Sequence, residues 1–273
     1  MICAKRSTWG EMMEKRERIA HLAANDAEAV LLARVYERIT TAAQRNIPAA
    51  SCFLTQREQM LAQQLLRGME VTFFGGAEAA ERRVCAYLPE YLDESWLMEE
   101  DSPVAAVRAA YYEKDALTHR DILGGLMGCG IKRETVGDIY VSEGRCEFFL
   151  TREILPYVLQ NFTSAGRTKL HLEQIPLAEV SPPEQKMKQI RDTLSSMRLD
   201  ALVSSGFGLA RGKASALIES GKVELNYAQC LKPDREVREG DVIAARGLGK
   251  LRLETVGGRT KKDRISVMIL RYI

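Results

Sequence analysis

The chain has 273 residues, 46% hydrophobic and 28% charged, with a formal net charge of +2; that is long enough for two domains with sizeable cores and has an ordinary globular composition. No apolar run reaches the ~20 residues that cross a bilayer, which excludes a membrane-spanning helix. Six scattered cysteines form no C-x-x-C pair, and the three histidines, His21, His119 and His171, are too far apart to read as a zinc site.

The first 20 residues lack a continuous apolar core, which argues against a secretory signal. A cytoplasmic protein with reduced, mostly buried thiols follows as the expectation. Residues 1–68 read as a helical N-terminal segment. Asn25-Asp26-Ala27-Glu28 has the form of an N-cap with an acid at N3, ahead of the apolar positions Val30, Leu31, Val35 and Ile39. Thr55-Gln56-Arg57-Glu58 has the capping-box form, and Gly68 stands where a glycine would end that helix.

Residues 69–180 form the second expected domain. Residues 71–74 and 84–88 read as strands of a candidate hairpin. Residues 104–112 read as a strand, Thr118 opens a short helix that runs into glycine-rich sequence, and residues 139–142 and 146–150 are strands around the turn Glu143-Gly144-Arg145. A helix over 152–162 and a strand over 169–175 complete the order β-α-β-β-α-β, a ferredoxin-like arrangement. Many RNA-binding modules use it, and so do unrelated proteins. Tyr140, Phe148 and Phe149 are the aromatics available for base stacking, but no R-G-F-G-F-type string accompanies them, so core packing is their expected role.

Ser181-Pro182-Pro183 marks a boundary, leaving residues 181–273 as the third expected domain. Residues 187–196 are ambiguous between helix and strand. A helix follows over 198–205, ending at Gly206. A second begins at Arg211, turns Ala214, Leu217 and Ile218 inward, and ends at Gly221. Strands are expected over 222–226 and 242–246, then a hairpin of 250–255 with 264–270 around Gly257-Gly258-Arg259-Thr260-Lys261-Lys262. In that hairpin Lys250 and Arg252 alternate with Leu251 and Leu253, so one face packs and the other carries charge. Residues 181–273 hold 18 Lys and Arg against 11 Asp and Glu, +7, whereas residues 1–180 hold 21 against 26, −5. A basic end on a slightly acidic body points to a polyanion partner for that end.

The helix start at Arg211 carries two cations, Arg211 and Lys213, where free N–H groups and the helix dipole already favour phosphate. Around it, Arg198-Leu199-Asp200, Arg211, Ala214, Leu217-Ile218, Gly221, Val223 and Asn226 match the pattern of the S-four RNA-binding domain, so that residues 197–226 resemble its αL-type core. One departure is Ala210, where that family usually has serine; losing a capping hydroxyl costs ~1 kcal/mol. The whole layout, with a helical start, a ferredoxin-like middle and a C-terminal S-four domain ending in Gly258-Arg259-Thr260-Lys261-Lys262-Asp263-Arg264-Ile265, resembles the bacterial YlmH family. The resemblance implies an α+β protein that binds rRNA and tRNA on the large ribosomal subunit carrying an obstructed peptidyl-tRNA. There it would support C-terminal tailing of the stalled nascent chain in ribosome-associated quality control, beside a tailing factor, with no cofactor and no chemistry of its own. The expected RNA contacts are Arg198, Arg211, Lys213, Asn226, Lys250, Arg252, Lys261, Lys262 and Arg264, with Lys222 and Lys232 as weaker candidates.

Bland roles compete with these. Arg198 can pair with Asp200, and Asn226 can serve a positive-φ turn. The Met197–Asp200 string is similar to the catalytic aspartate segment of pseudouridine synthases, but only 73 residues follow Asp200 and the small module accounts for them, which leaves a helix-stabilising carboxylate. Gly247-Leu248-Gly249-Lys250 lacks the spacing of a P-loop. The alternatives are an RNA-modifying enzyme using the middle domain, or an interaction protein of cell division acting through the acidic half.

Overall fold

The computed structural model describes residues 16–183 and 186–273. The chain divides between residues 183 and 184 into two compact units.

In the first unit, α1 (Asp26–Arg45) opens on Asn25, whose side chain accepts the Glu28 N–H at 2.9 Å. Its apolar stripe, Leu31, Leu32, Val35, Ile39 and Ala42, is buried. Strand β1 (Ala49–Leu54) follows. Then α2 (Gln56–Leu65) opens on the Thr55 capping box, and β2 (Thr72–Phe74) and β3 (Arg83–Tyr87) form the expected antiparallel hairpin. Over the described residues 16–68 the N-terminal segment is therefore helical except for β1, which a reading of residues 1–68 as helices overlooks; residues 1–15 of that expectation lie outside the described residues. The run Ala49-Ala50-Ser51-Cys52-Phe53-Leu54 shows no period-2 alternation, because a bulge between Ala50 and Phe53 interrupts its pairing with β3. Its partner also lies some thirty residues on, beyond any local signal. The sheet order is β1-β3-β2.

The rest of this unit has β4 (Val104–Ala110), α3 (His119–Gly128), β5 (Val136–Ser142), β6 (Arg145–Thr151) and α4 (Leu155–Asn161). A two-residue ribbon, β7 (Ser164–Ala165) with β8 (Thr168–Lys169), precedes β9 (His171–Ile175). The four-stranded sheet has the order β5-β6-β4-β9 with every pair antiparallel, which is the ferredoxin-like arrangement. Adjacent residues of a strand face opposite ways, so Phe148 and Phe149 divide between two cores. Phe148 packs with Ile122, Leu126, Val158 and Phe162 beneath α3 and α4. Phe149 packs with Phe53, Val84, Ala86 and Ala106 against the three-stranded sheet. The unit thus stacks α1 and α2, a three-stranded sheet, a four-stranded sheet, then α3 and α4. Phe148 and Phe149 are fully buried, and Tyr140 meets Phe149 edge-on at 5.9 Å. These aromatics are core, as expected, and the face on which related modules stack bases is covered.

The second unit runs β10 (Met187–Leu194), α5 (Leu199–Phe207), α6 (Arg211–Glu219), β11 (Val223–Leu225), β12 (Ala228–Gln229), β13 (Val242–Ala245), β14 (Gly249–Arg259) and β15 (Ile265–Tyr272). Its sheet has the order β10-β15-β14-β13-β11-β12. The ambiguous residues 187–194 are an edge strand paired along their whole length with β15. Helix α5 runs through Gly206 and ends at Gly208, whose φ of +68° supplies the left-handed cap. Gly206 is instead a packing glycine: a Cβ there would lie 2.4 Å from Leu251 Cδ2. Leu251 and Leu253 are fully buried with Leu199, Leu202, Val203 and Ile269, so the helices cover one face of the sheet.

Candidate nucleic-acid interface

The central cluster of the expected contacts is built where α5 and α6 begin. Neither helix has a side-chain cap. For α5 the loop before β13 substitutes: the Leu199 N–H donates to the Arg235 carbonyl at 2.8 Å and the Asp200 N–H to the Pro233 carbonyl at 3.0 Å. This satisfies the first donors of the helix and fixes Asp200 in the interior, 4% exposed.

Asp200 then organises the cations. Arg198 donates from Nε to Oδ1 at 3.2 Å and from Nη2 to Oδ2 at 3.3 Å. Arg211, eleven residues on, donates from Nε to Oδ2 at 3.2 Å and from Nη2 to Oδ1 at 3.1 Å. One carboxylate therefore receives two guanidinium forks. Burial alone would raise the Asp200 carboxyl; the hydrogen bonds from Arg211 and Arg198 outweigh it and hold the group below the usual carboxylate range. The arginine side chains stay 42% and 48% exposed, so each shows a fixed cationic edge to solvent. Asp200 is thus more than a helix-stabilising carboxylate. It is the positioning residue of the cluster, and its link to Arg211 was beyond local sequence signals. Lys213 is exposed on the first turn of α6 beside this pair, where the dipole adds to its charge.

The other expected contacts fall into separate places. Asn226 sits in a turn at φ +50°, followed by Tyr227 at +62°. Its amide donates to Asp241 Oδ1 at 2.8 Å and its Oδ1 accepts the Val242 N–H at 2.9 Å, so its carboxamide is committed within the unit. Arg264 is tied to Thr193, donating from Nε to Oγ1 at 2.9 Å and from Nη2 to the Thr193 carbonyl. Thr193 and Arg198 are five steps apart along the chain, at most ~18 Å, so the tip bearing the exposed Lys261 and Lys262 belongs to the same end of the sheet as the helix starts. Lys250 and Arg252 do not. They alternate with the buried leucines and so face away from the helices. Up to ~30 Å of strand separates Lys250 from Arg259 at the other end of β14. Lys250 Nζ lies 5.6 Å from the Tyr227 ring and 5.1 Å from the Tyr272 ring, and Arg252 donates from Nε to Glu254 at 2.7 Å. The expected RNA contacts therefore fall on two surfaces, one at the helix starts and one on the opposite face of the sheet. Of the weaker candidates, Lys232 opens the loop that caps α5, and its exposed neighbour Arg235, overlooked in the sequence, sits on that loop as well.

Ala210 stands at the N-cap of α6 and provides no side-chain bond. Ala210→Ser is expected to stabilise the second unit by ~1 kcal/mol by capping that helix, read as a higher urea midpoint at unchanged slope. An unchanged midpoint would show that the helix start gains nothing from a hydroxyl.

Among the described residues no group of His, Cys, Asp and Glu could hold a metal, and no helix is long and apolar enough to cross a membrane.

Comparison with known proteins agrees with this architecture. Residues 98–179 match the family described as "Putative RNA-binding domain in YlmH", and residues 197–243 match the S4 domain, the S-four domain of the sequence reading. The chain is 34% identical over 222 residues to the "Ribosome-associated protein quality control protein P2" of Bacillus subtilis (strain 168), covering 80% of this chain and 85% of that protein. A solved structure titled "Cell division protein ylmH from Streptococcus pneumoniae" covers 57% of this chain and 96% of its own, with a TM-score of 0.47 at 23% identity. The 34% identity to the Bacillus subtilis protein across four-fifths of this chain, with both RNA-binding domains in place, shows that this chain belongs to the YlmH family.

Proposed function

We propose that this protein binds rRNA and tRNA on the large ribosomal subunit that carries an obstructed peptidyl-tRNA. By holding that tRNA in place it supports C-terminal tailing of the stalled nascent chain, next to the factor that performs the tailing. It works in the cytoplasm and positions RNA without chemistry of its own. The observation that carries this reading is the Asp200 carboxylate, which fixes Arg198 and Arg211 at two adjoining helix starts. Preset guanidinium edges suit phosphate oxygens, and affinity for structured RNA rests chiefly on phosphate contacts, with selectivity from shape. The relative from Bacillus subtilis, whose name places it in ribosome-associated quality control, supports the setting. Lys213, Lys261, Lys262 and Arg264 extend the contact at the helix-start end, and Lys250 and Arg252 engage a separate RNA segment from the other face of the sheet.

The test is an Arg211→Gln/Lys213→Gln double variant of the full chain. Co-sedimentation with ribosomes at moderate salt should be lost while the circular dichroism spectrum is retained. The dependence of log affinity on log salt should become shallower by about one for each phosphate contact removed. A folded double variant that still co-sediments as the parent does would sink the proposal.

A further inference from the structure

The first unit contains a family-matched RNA-binding domain, yet its four-stranded sheet offers no open aromatic face, because Phe149 is fully buried against the three-stranded sheet. A different surface of the unit has the chemistry for RNA. A cleft of ≈ 920 Å³ is lined by the starts of α1 and α2, at Asn25 and Thr55, and by Arg82, Lys132 and Arg133.

The two arginines share one acceptor. Arg82 Nε donates to the Val136 carbonyl at 3.0 Å and its Nη2 to the Phe53 carbonyl at 3.1 Å. Arg133 Nη1 donates to the same Val136 carbonyl at 2.6 Å and to the Gly137 carbonyl at 3.3 Å. Among the described residues neither forms an ion pair. A guanidinium has five N–H donors, and these bonds leave the Nε and Nη2 edge of Arg133 and the Nη1 of Arg82 without a protein acceptor. Four acids also line the cleft: Glu28 and Glu134 are paired with Arg57 at 2.7 Å and Arg34 at 3.0 Å, Asp26 is exposed, and Glu58, like Asp138 nearby, is bonded to backbone. Asp138 accepts the Glu81 and Arg82 N–H groups at 2.6 and 3.1 Å, and Glu58 accepts the Thr55 N–H at 2.6 Å. Two like charges are thus held together, half-buried, while Glu28, Glu134, Glu58 and Asp138 around them are bonded to other groups. Burial first, and then the neighbouring Arg82 charge, bring the Arg133 guanidinium down to about 10, and burial lowers Arg82 as well. A bound anion would relieve this arrangement. Lys132 stands exposed at the rim, and Val30, 57% exposed, adds apolar lining.

We propose that this cleft seats a phosphate of an RNA strand, with Arg133 and Arg82 as donors and Lys132 at the rim. The cleft is an open groove, far roomier than a lone carboxylate needs and wide enough to admit a nucleotide-sized group. The seat joins residues on both sides of the three-stranded sheet, so the N-terminal helices complete the RNA contact of the domain that follows them. The inference rests on the RNA-binding reading above and adds a second contact point, in the first unit.

The experiment titrates the full chain against a short fluorescently labelled single-stranded RNA across a salt series. A Lys132→Gln/Arg133→Gln variant should bind about tenfold more weakly at low salt, with a salt slope shallower by about 1.4, since Lys132 at the rim meets the next phosphate of the strand and each single-strand phosphate contact contributes ~0.7. Lys132→Gln alone, at an exposed position that folding does not use, should show half that change in slope. Unchanged affinity and slope in Lys132→Gln and in a folded double variant would overturn the seat. If the Arg211→Gln/Lys213→Gln variant loses this RNA while those two do not, the seat is wrong and the RNA-binding reading stands; if none of the three loses it, the reading itself fails. Competition with adenosine monophosphate separates the two sources of phosphate. RNA that stays bound at equal phosphate concentration supports a strand, and its displacement would assign the cleft to a free mononucleotide instead.

Discussion

Replacing Asp200 by alanine is expected to destabilise the second unit by about 2 kcal/mol and to weaken RNA binding roughly tenfold in the same variant. The carboxylate is 4% exposed and receives four guanidinium hydrogen bonds between 3.1 and 3.3 Å. Charge-assisted bonds contribute ~1.5–3 kcal/mol each when buried. Here both arginines are about half exposed, so water takes up their charges when the carboxylate is gone, and the net cost falls toward the low end. The functional loss has a separate cause. Freed from Asp200, the two side chains must be immobilised anew on binding, at ~0.5–1.5 kcal/mol each. A urea titration and RNA anisotropy on one preparation measure both effects. Wild-type affinity in a destabilised variant would show that Asp200 holds the fold and does not position the arginines. Asp200→Asn keeps the shape and should recover part of the stability.

The same carboxylate sets an acid limit. Its folded-state value is depressed, so its contribution is fully present above the unfolded carboxyl value of ~3.9 and is lost as pH falls through the lower folded value. The urea midpoint of the second unit should fall more steeply below pH ~4 in wild type than in Asp200→Asn, and the two should run parallel near neutrality.

Phe149→Ala is expected to cost the first unit ~3–5 kcal/mol. The ring is fully buried between two sheets, and Gly76 is shaped to it: a Cβ at Gly76 would lie 2.5 Å from Phe149 Cε1. Close packing leaves nothing able to collapse into the space. Calorimetry of the full chain should show the first unit's transition moved down by many degrees, with the transition of residues 184–273 unmoved. An unmoved first transition would mean that the two sheets do not depend on this ring. Base stacking on the sheet face is not needed to account for Phe149.

Local chemistry was legible wherever a few neighbouring residues decide the outcome. The caps at Asn25, Thr55 and Thr118 and the glycine after α6 could be read directly, because each is a bond between groups within a few positions. The end of α5 was misplaced by two residues, because Gly206 and Gly208 look alike in sequence and only the close approach of Leu251 tells a packing glycine from a capping one. Strands β1 and β10 were overlooked or ambiguous for a related reason. β1 is bulged, and β10 is mostly exposed with Ile190 half-buried and Leu194 buried, so neither shows clean alternation. Their partners β3 and β15 are remote in the chain.

By itself the sequence determined the class of protein: the β-α-β-β-α-β order, the S-four helix pair, and a basic end of +7 on an acidic body, all properties of short patterns or of plain charge counts. Only the tertiary structure decided how the cations group. It joined Arg198 and Arg211 through one buried carboxylate, placed Lys250 and Arg252 on the opposite face from the helices, closed the aromatic sheet face, and brought Arg82 and Arg133 onto one carbonyl. Charge in a sequence has no direction. It acquires one when packing decides which edge of each guanidinium meets protein and which is left for water or for RNA.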